Sequence, residues 1–561
     1  MASAHSLDES TNTLYENKAA GPRTGAMEKA EISNDGQADL EKAEEAGQGV
    51  PKSQLSTTSK ILLFIGLVLA VFLGSLDGTI VSTCLPVIAS TFNAFDSITW
   101  VAVSYLLTFN ALQPLYGKFS DIFGHTMLFA ICSFLIGSAG CGAATSSLML
   151  IIFRAMAGMG GAGLFGLVFI IIADIFPLEE RPRYQAIIGS SFGFSSVFGP
   201  LLGGAFYINL PIGAITILAV VLFLNLPYDR SSLIEKLKRV DFAGTLVLIA
   251  AVICILLPIT WGGETYAWSS PIEISLFIVA VILLGLFVIV EWKFAREPIM
   301  PLRLFKNRSI VAVFITQFFV GMAFFGYIFY LPIFFQVVRG ATPTLAGLQL
   351  LPMMLGLVII GNIAGGFMQT IQKRLPPTFA AHVLYIYVGN AFFVLGAGLT
   401  STLDENTSSG ITVVYLLLIG IGLGLTLQMN VYAAQSAAEI QDMAVATSMA
   451  SFFQSIGGSI GIAIFGALEQ NALITHLSQI PSSILPPSQM LEVIESSTAI
   501  YNILTPDARV AVIHAYVQAL HIIFLAAIPF AGAGFIAALF ISRKRKQTEG
   551  EGEIVAHAAA I

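Results

Sequence analysis

Residues 61–83 read ILLFIGLVLAVFLGSLDGTIVST, an apolar run whose single charged side chain is Asp77. A bilayer core of about 30 Å takes roughly 20 residues of helix. Lipid offers backbone N–H and C=O groups no partners, so a stretch of this kind must be helical and must pack against others like it. Thirteen more such stretches follow, near 98–117, 127–146, 148–173, 184–205, 207–227, 241–262, 272–292, 309–336, 343–370, 379–401, 411–433, 443–468 and 518–541. The pattern predicts an all-α membrane protein with fourteen transmembrane helices. Composition agrees, since 56% of the 561 residues are hydrophobic and 11% charged, against about 25% charged in soluble domains.

The first 59 residues differ in character, with ten acidic and five basic side chains and no apolar period. They read as a disordered cytoplasmic tail. The apolar run begins too far into the chain for a cleaved signal. Lys and Arg crowd alternate connections: Lys118; Arg181 and Arg183; Arg230, Lys236, Lys238 and Arg239; Lys293, Arg296, Arg303, Lys306 and Arg308; Lys373 and Arg374; and Arg543 to Lys546. The other connections hold only Arg339 and Arg509. Basic residues near span ends stay on the cytoplasmic side, which puts both termini inside and demands an even number of spans. The acceptor triplet Asn406-Thr407-Ser408 then falls outside, where Asn406 could be glycosylated.

Cys84, Cys132, Cys141 and Cys254 lie in or at the ends of spans, without a CxxC pair or a histidine cluster. Neither a disulfide framework nor a metal site is indicated. The longest connection, 469–517, contains Pro481, Pro486, Pro487 and Pro506; it reads either as a cap on the outer mouth or as a loosely ordered loop.

Four strings narrow the reading. They are Leu76-Asp77-Gly78-Thr79-Ile80-Val81, followed by Leu85-Pro86; Gly117-Lys118-Phe119-Ser120-Asp121-Ile122-Phe123-Gly124; Arg154-Ala155-Met156-Ala157-Gly158-Met159-Gly160-Gly161; and Gly199-Pro200-Leu201-Leu202-Gly203-Gly204. In this order, on these spans, the chain resembles the fourteen-span drug:proton antiporter branch of the major facilitator superfamily, of the fungal toxin and multidrug efflux type. The resemblance covers about residues 60 to 545. It implies a major facilitator fold: a six-helix half over 60–228, a two-helix insert over 229–297, a second six-helix half over 298–541 with the outer loop 469–517, and a cytoplasmic tail over 542–561. Such halves rock about a midplane site.

The chain departs from that pattern twice. Gly124 is followed by His125-Thr126-Met127 instead of basic residues. Gly203-Gly204-Ala205-Phe206 runs straight into Tyr207-Ile208-Asn209-Leu210-Pro211, which leaves either a tight Gly/Pro turn or a join from which residues are missing.

Ionisable groups inside a span are costly. Asp77 and Arg154 are therefore the proton-coupling candidates, the alternatives being a helix-bonding Asp and a structural Arg. Arginine does not shed its charge, so Arg154 must face a carboxylate, carbonyls or a wet cavity. Lys118 and Asp121 are candidates for the inner gate. Gly199, Pro200, Gly203 and Gly204 are gating candidates by shape, since small residues let helices approach and proline kinks them. Asn110, Gln113, Gln428 and Gln454 are the substrate-binding candidates, because the resemblance places them on spans that line the central path; each could equally be an interhelical bond.

No nucleotide cradle such as GxxxxGK[ST] occurs. The expectation is no enzyme, no cofactor and no nucleic-acid partner, but a functional monomer in the plasma membrane, or the vacuolar one. It would be a proton-coupled antiporter exporting small amphipathic organic compounds. An importer such as a siderophore carrier, or a non-transporting sensor, remains the alternative.

Overall fold

In the computed structural model, residues 57–92, 99–124, 126–202, 209–224, 232–262, 266–376, 379–495 and 499–543 are described. Fourteen long helices run through them. The first six are α1 (Thr57–Phe92), α2 (Thr99–Phe123), α3 (Thr126–Gly142), α4 (Ser147–Ile175), α5 (Arg181–Leu202) and α6 (Asn209–Phe223). Two follow, α7 (Phe242–Trp261) and α8 (Pro271–Lys293). The last six are α9 (Arg308–Arg339), α10 (Leu351–Arg374), α11 (Ala381–Thr400), α12 (Ser409–Ala437), α13 (Met443–Leu477) and α14 (Pro506–Ala538). Ten are long and apolar enough to cross a membrane; α3 and α6 are apolar but shorter.

Helix ends follow local chemistry. Ser146, Ser270, Ser408 and Thr505 each cap a helix by accepting a bond from the backbone N–H three residues on. Pro271 and Pro506 stand in first turns, where the missing N–H costs nothing. At the other end of α9, Gly340 takes φ of 64°, the left-handed stop that glycine alone adopts without strain.

Helix–helix pairing shows the architecture directly. In the first set α1 packs on α4, α5 and α6, α2 on α4, and α3 on α4 and α6. Eight helices later the same pairings recur: α9 on α12, α13 and α14, α10 on α12, and α11 on α12 and α14. The two sets meet along two seams related in the same way, α2 against α13 and α10 against α5. This is two six-helix halves with α7 and α8 inserted between them. The inserted helices pair with each other, and α7 leans on α2 and α13. Only 17% of the most apolar window of α8 is buried within the protein, so most of that helix is left to lipid.

Three segments differ from expectation. The stretch beginning at 343 splits into a short helix, Pro343–Leu348, and α10, because Pro352 starts a new helix at its first turn. Helix α13 continues to Leu477 and α14 begins at Pro506, so the long connection shrinks to 478–505. The first three turns of α14 are too polar for a hydropathy window, yet Ala508, Val512, Ala515 and Tyr516 bury one stripe against Leu473, Leu485, Val493 and Ile500. The described residues of the connection include two short helices, Pro487–Glu495 and Ala499–Asn502. Tyr501 donates its hydroxyl to Val337 O at 2.6 Å and Tyr516 to Val493 O at 2.9 Å. The described residues of this connection lie against the ends of α9, α13 and α14. The join over 203–208, with Gly203 and Gly204, lies outside the described residues.

Candidate functional site

Asp77 and Arg154 come together. Arg154 Nη1 donates to Asp77 Oδ2 at 2.5 Å, with both side chains shut off from solvent. Arg154 Nε donates to Val101 O at 3.2 Å, and the guanidinium lies 4.3 Å from the centre of the Tyr105 ring. The second carboxylate oxygen of Asp77 receives Asn209 Nδ2 at 3.4 Å, which also reaches Ser138 Oγ at 3.0 Å. The charge therefore has partners from α1, α2, α3, α4 and α6. Tyr105 can slide under Arg154 because α4 presents Gly158 and Gly161 there; a Cβ on either would collide with Tyr105.

A buried ion pair is stable only while both members are charged and bonded. A proton on Asp77 would cancel its charge and leave a guanidinium that cannot become neutral. Tyr105, Ser138 and Asn209 were not singled out from sequence, and nothing in their spacing pointed to them; they converge only through the fold.

The four amide candidates all sit in helix contacts. Asn110 (α2) donates to Leu106 O at 2.9 Å and across the seam to Ser459 Oγ (α13) at 3.1 Å, while its own oxygen is buried without a partner among the described residues. Gln113 accepts from Ser455 Oγ (α13) at 2.5 Å. Gln428 (α12) lies over Gly189 of α5, its oxygen also unpartnered. Gln454 belongs to a chain within the second half, Asn430 to Gln317 at 3.2 Å and Gln317 to Gln454 at 3.3 Å. Three of the four therefore stand on the seams between halves. The seam of α5 with α10 and α12 adds Gln185 to Gln435 at 2.9 Å and Asn362 to Ser190 at 2.6 Å. A cavity of about 540 Å³ elsewhere, lined by Trp268, Ile464, Leu468, His476 and Ile522, touches none of the candidates.

At the end of the bundle where the basic connections gather, Gly117 of α2 presses against Ser448 of α13, so closely that a Cβ would overlap the serine. Lys118 Nζ bonds Glu297 at 2.9 Å, and Glu297 also takes Arg239 Nε at 2.6 Å. Arg303 grips Asp442 with two bonds, at 2.6 and 2.7 Å. Burial alone would raise the Glu297 carboxyl, but the bonds from Arg239 and Lys118 outweigh it and hold the group below its ordinary value. Asp121, the other inner-gate candidate, makes no ion pair within 4 Å among the described residues; Lys118 turns to Glu297. Gly199 is buried in α5, which runs on through Pro200 to Leu202. Asn406 is exposed on a turn in which its N–H donates to Asp404 Oδ1 at 3.0 Å.

The family profile of the Major Facilitator Superfamily matches residues 67–462. The chain belongs to this superfamily. Among its superfamily relatives, an MFS-type efflux pump of Arthroderma benhamiae is 37% identical over 82% of this chain and 87% of its own length. The efflux pump dotC of Dothistroma septosporum is 34% identical over 90% of this chain and 87% of its own. Among solved structures, a bacterial homologue of the human lysosomal transporter Spinster, inward-facing and occupied, superposes with a TM-score of 0.52 at 16% identity, over 88% of this chain and 99% of the other. The human organic anion transporter MFSD10 gives 0.52 at 14%, over 86% and 98%. Both show the same superfamily fold.

Proposed function

We propose that this membrane transporter is a secondary active exporter of small organic molecules and that protons drive it, one proton path running through Asp77. The buried Asp77–Arg154 pair carries the reading: a titratable acid whose charge is answered by a permanent cation at a point where five helices of the first half meet. The efflux function of relatives 34 to 37% identical supports the direction. An ion gradient supplies about 2.3 kcal/mol per charge per 100 mV.

In this scheme all fourteen helices span the bilayer and both termini and the basic end are cytoplasmic, in the plasma membrane. Residues 60–228 and 298–541 move as the two halves of a monomer. The contacts at the basic end then belong to a state closed toward the cytoplasm. A proton reaching Asp77 from outside frees Arg154. The halves rearrange, and the return of the Arg154 field expels the proton inward. Asn110, Gln113, Gln428 and Gln454 exchange their seam bonds for bonds to cargo, and Gly199 and Pro200 shape the flexing of α5.

The test is transport of labelled amphipathic compounds in sealed vesicles under an imposed pH gradient. Asp77→Asn and Arg154→Gln should each abolish gradient-driven movement. Undiminished gradient-driven transport in both variants would remove the scheme.

A further inference from the structure

The segment joining α8 to α9, residues 294–307, is a strap across the basic end of the molecule. It is fixed to the insert midway along: both oxygens of Glu291 on α8 accept its backbone, from Ile299 N at 3.0 Å and Met300 N at 3.2 Å. Its apolar residues Ile299, Met300 and Leu304 are buried in the core beneath. Glu297 reaches the first half through Lys118 at the end of α2 and is steadied by Arg239. Toward the second half, Arg303 holds Asp442 at the head of α13 and Asn307 Nδ2 donates to Ala437 O at the end of α12, at 3.1 Å. The strap therefore spans the α2–α13 seam at the point where Gly117 meets Ser448.

We propose that Glu297 is a gate-positioning residue and that the inserted helix pair, through this strap, keeps the basic end closed by tying α2 to α13. The two anchors are unequal. On the second half the strap is covalently continuous with α9 and carries a two-bond Arg303–Asp442 pair. On the first half it has, among the described residues, one ion pair, Lys118–Glu297, and Glu297 keeps Arg239 when Lys118 departs. Opening therefore begins with release of Lys118, while the strap stays with the second half and the insert. This rests on the transport reading only in taking the basic end as one that opens.

The gate can be read without cargo or protons. In the full chain carrying Ser448→Cys, a near-isosteric change at a buried position, the rate at which a membrane-permeant maleimide labels that cysteine in native membranes, above the labelling of the chain without it, reports how often α2 leaves α13. Glu297→Gln and Lys118→Gln should each speed labelling roughly threefold, the size expected for one partly exposed ion pair. The double variant should be labelled no faster than either single variant, a pattern that mere misfolding does not produce. Unchanged rates in both single variants, or gains that simply multiply in the double variant, would overturn the strap. Because the readout needs no transport, its result stands whether or not proton-driven export is found.

Discussion

Arg154 and Asp77 stand 77 residues apart in the chain and 2.5 Å apart in the fold, with no solvent reaching either. Removing one member strands the other. Asp77→Asn should cost about 3–5 kcal/mol of stability, the usual penalty for an orphaned buried charge. Pairing it with Arg154→Met should recover most of that loss in a thermal unfolding assay without recovering gradient-driven transport. Recovery of transport along with stability would reduce the pair to a structural role.

Tyr105 supports the guanidinium with its ring far more than with its hydroxyl. The hydroxyl reaches Gly74 O only at 3.5 Å, whereas the ring lies 4.3 Å from the charge. Tyr105→Phe should therefore be nearly neutral, and Tyr105→Leu should lower stability by about 2 kcal/mol, the value of a desolvated cation–π contact. Gly158→Val, which forces a side chain into Tyr105 and Thr108, should cost a further 1–3 kcal/mol, roughly, by overpacking. Thermal melts of the three variants rank the contributions.

Acid should loosen the basic end through Glu297. Its carboxyl is held below the ordinary value of 4.5. Its contribution is thus complete above that value and lost as the pH falls through the lower, folded-state value. Thiol labelling of the Ser448→Cys chain should differ between the forms with Glu297 and with Glu297→Gln to the same extent from about pH 8 to pH 5, and the difference should close below about pH 4.5. A difference that already fades near pH 6 would mean that another group governs this contact.

Asn406 offers a test of orientation. It is exposed at the end of the bundle opposite the basic connections, in a turn closed by Thr407 Oγ1 donating to Asp404 Oδ1. If that end is extracellular, a secretory host should glycosylate it, and Asn406→Gln should abolish a glycosidase-sensitive shift on gels. A shift that instead depends on Asn307, in the acceptor triplet Asn307-Arg308-Ser309 at the basic end, would invert the topology.

Much of the fold was legible because bilayer thickness imposes a length on apolar segments and leaves the backbone no choice but helix. That is why α7 and α8 could be bounded within a residue or two. The same criterion failed for the first three turns of α14, whose apolar stripe faces the protein cap instead of lipid. It failed again at 343–351, where Pro352 divides one apolar run into two helices. For the site, the high cost of a charge in lipid marked Asp77 and Arg154 individually. The amides were marked only as a set, since an uncharged amide in a helix is compatible with both cavity and contact.

The sequence by itself determined that the chain is a helical membrane bundle with charges at Asp77 and Arg154 requiring explanation, because hydropathy and charge cost are properties of each residue. Only the tertiary structure decided that those charges answer each other, that Tyr105 and Asn209 complete their setting, and that Lys118 binds Glu297 and not Asp121. Partners so distant along the chain are chosen by which helix faces meet, and that depends on the packing of all the helices at once.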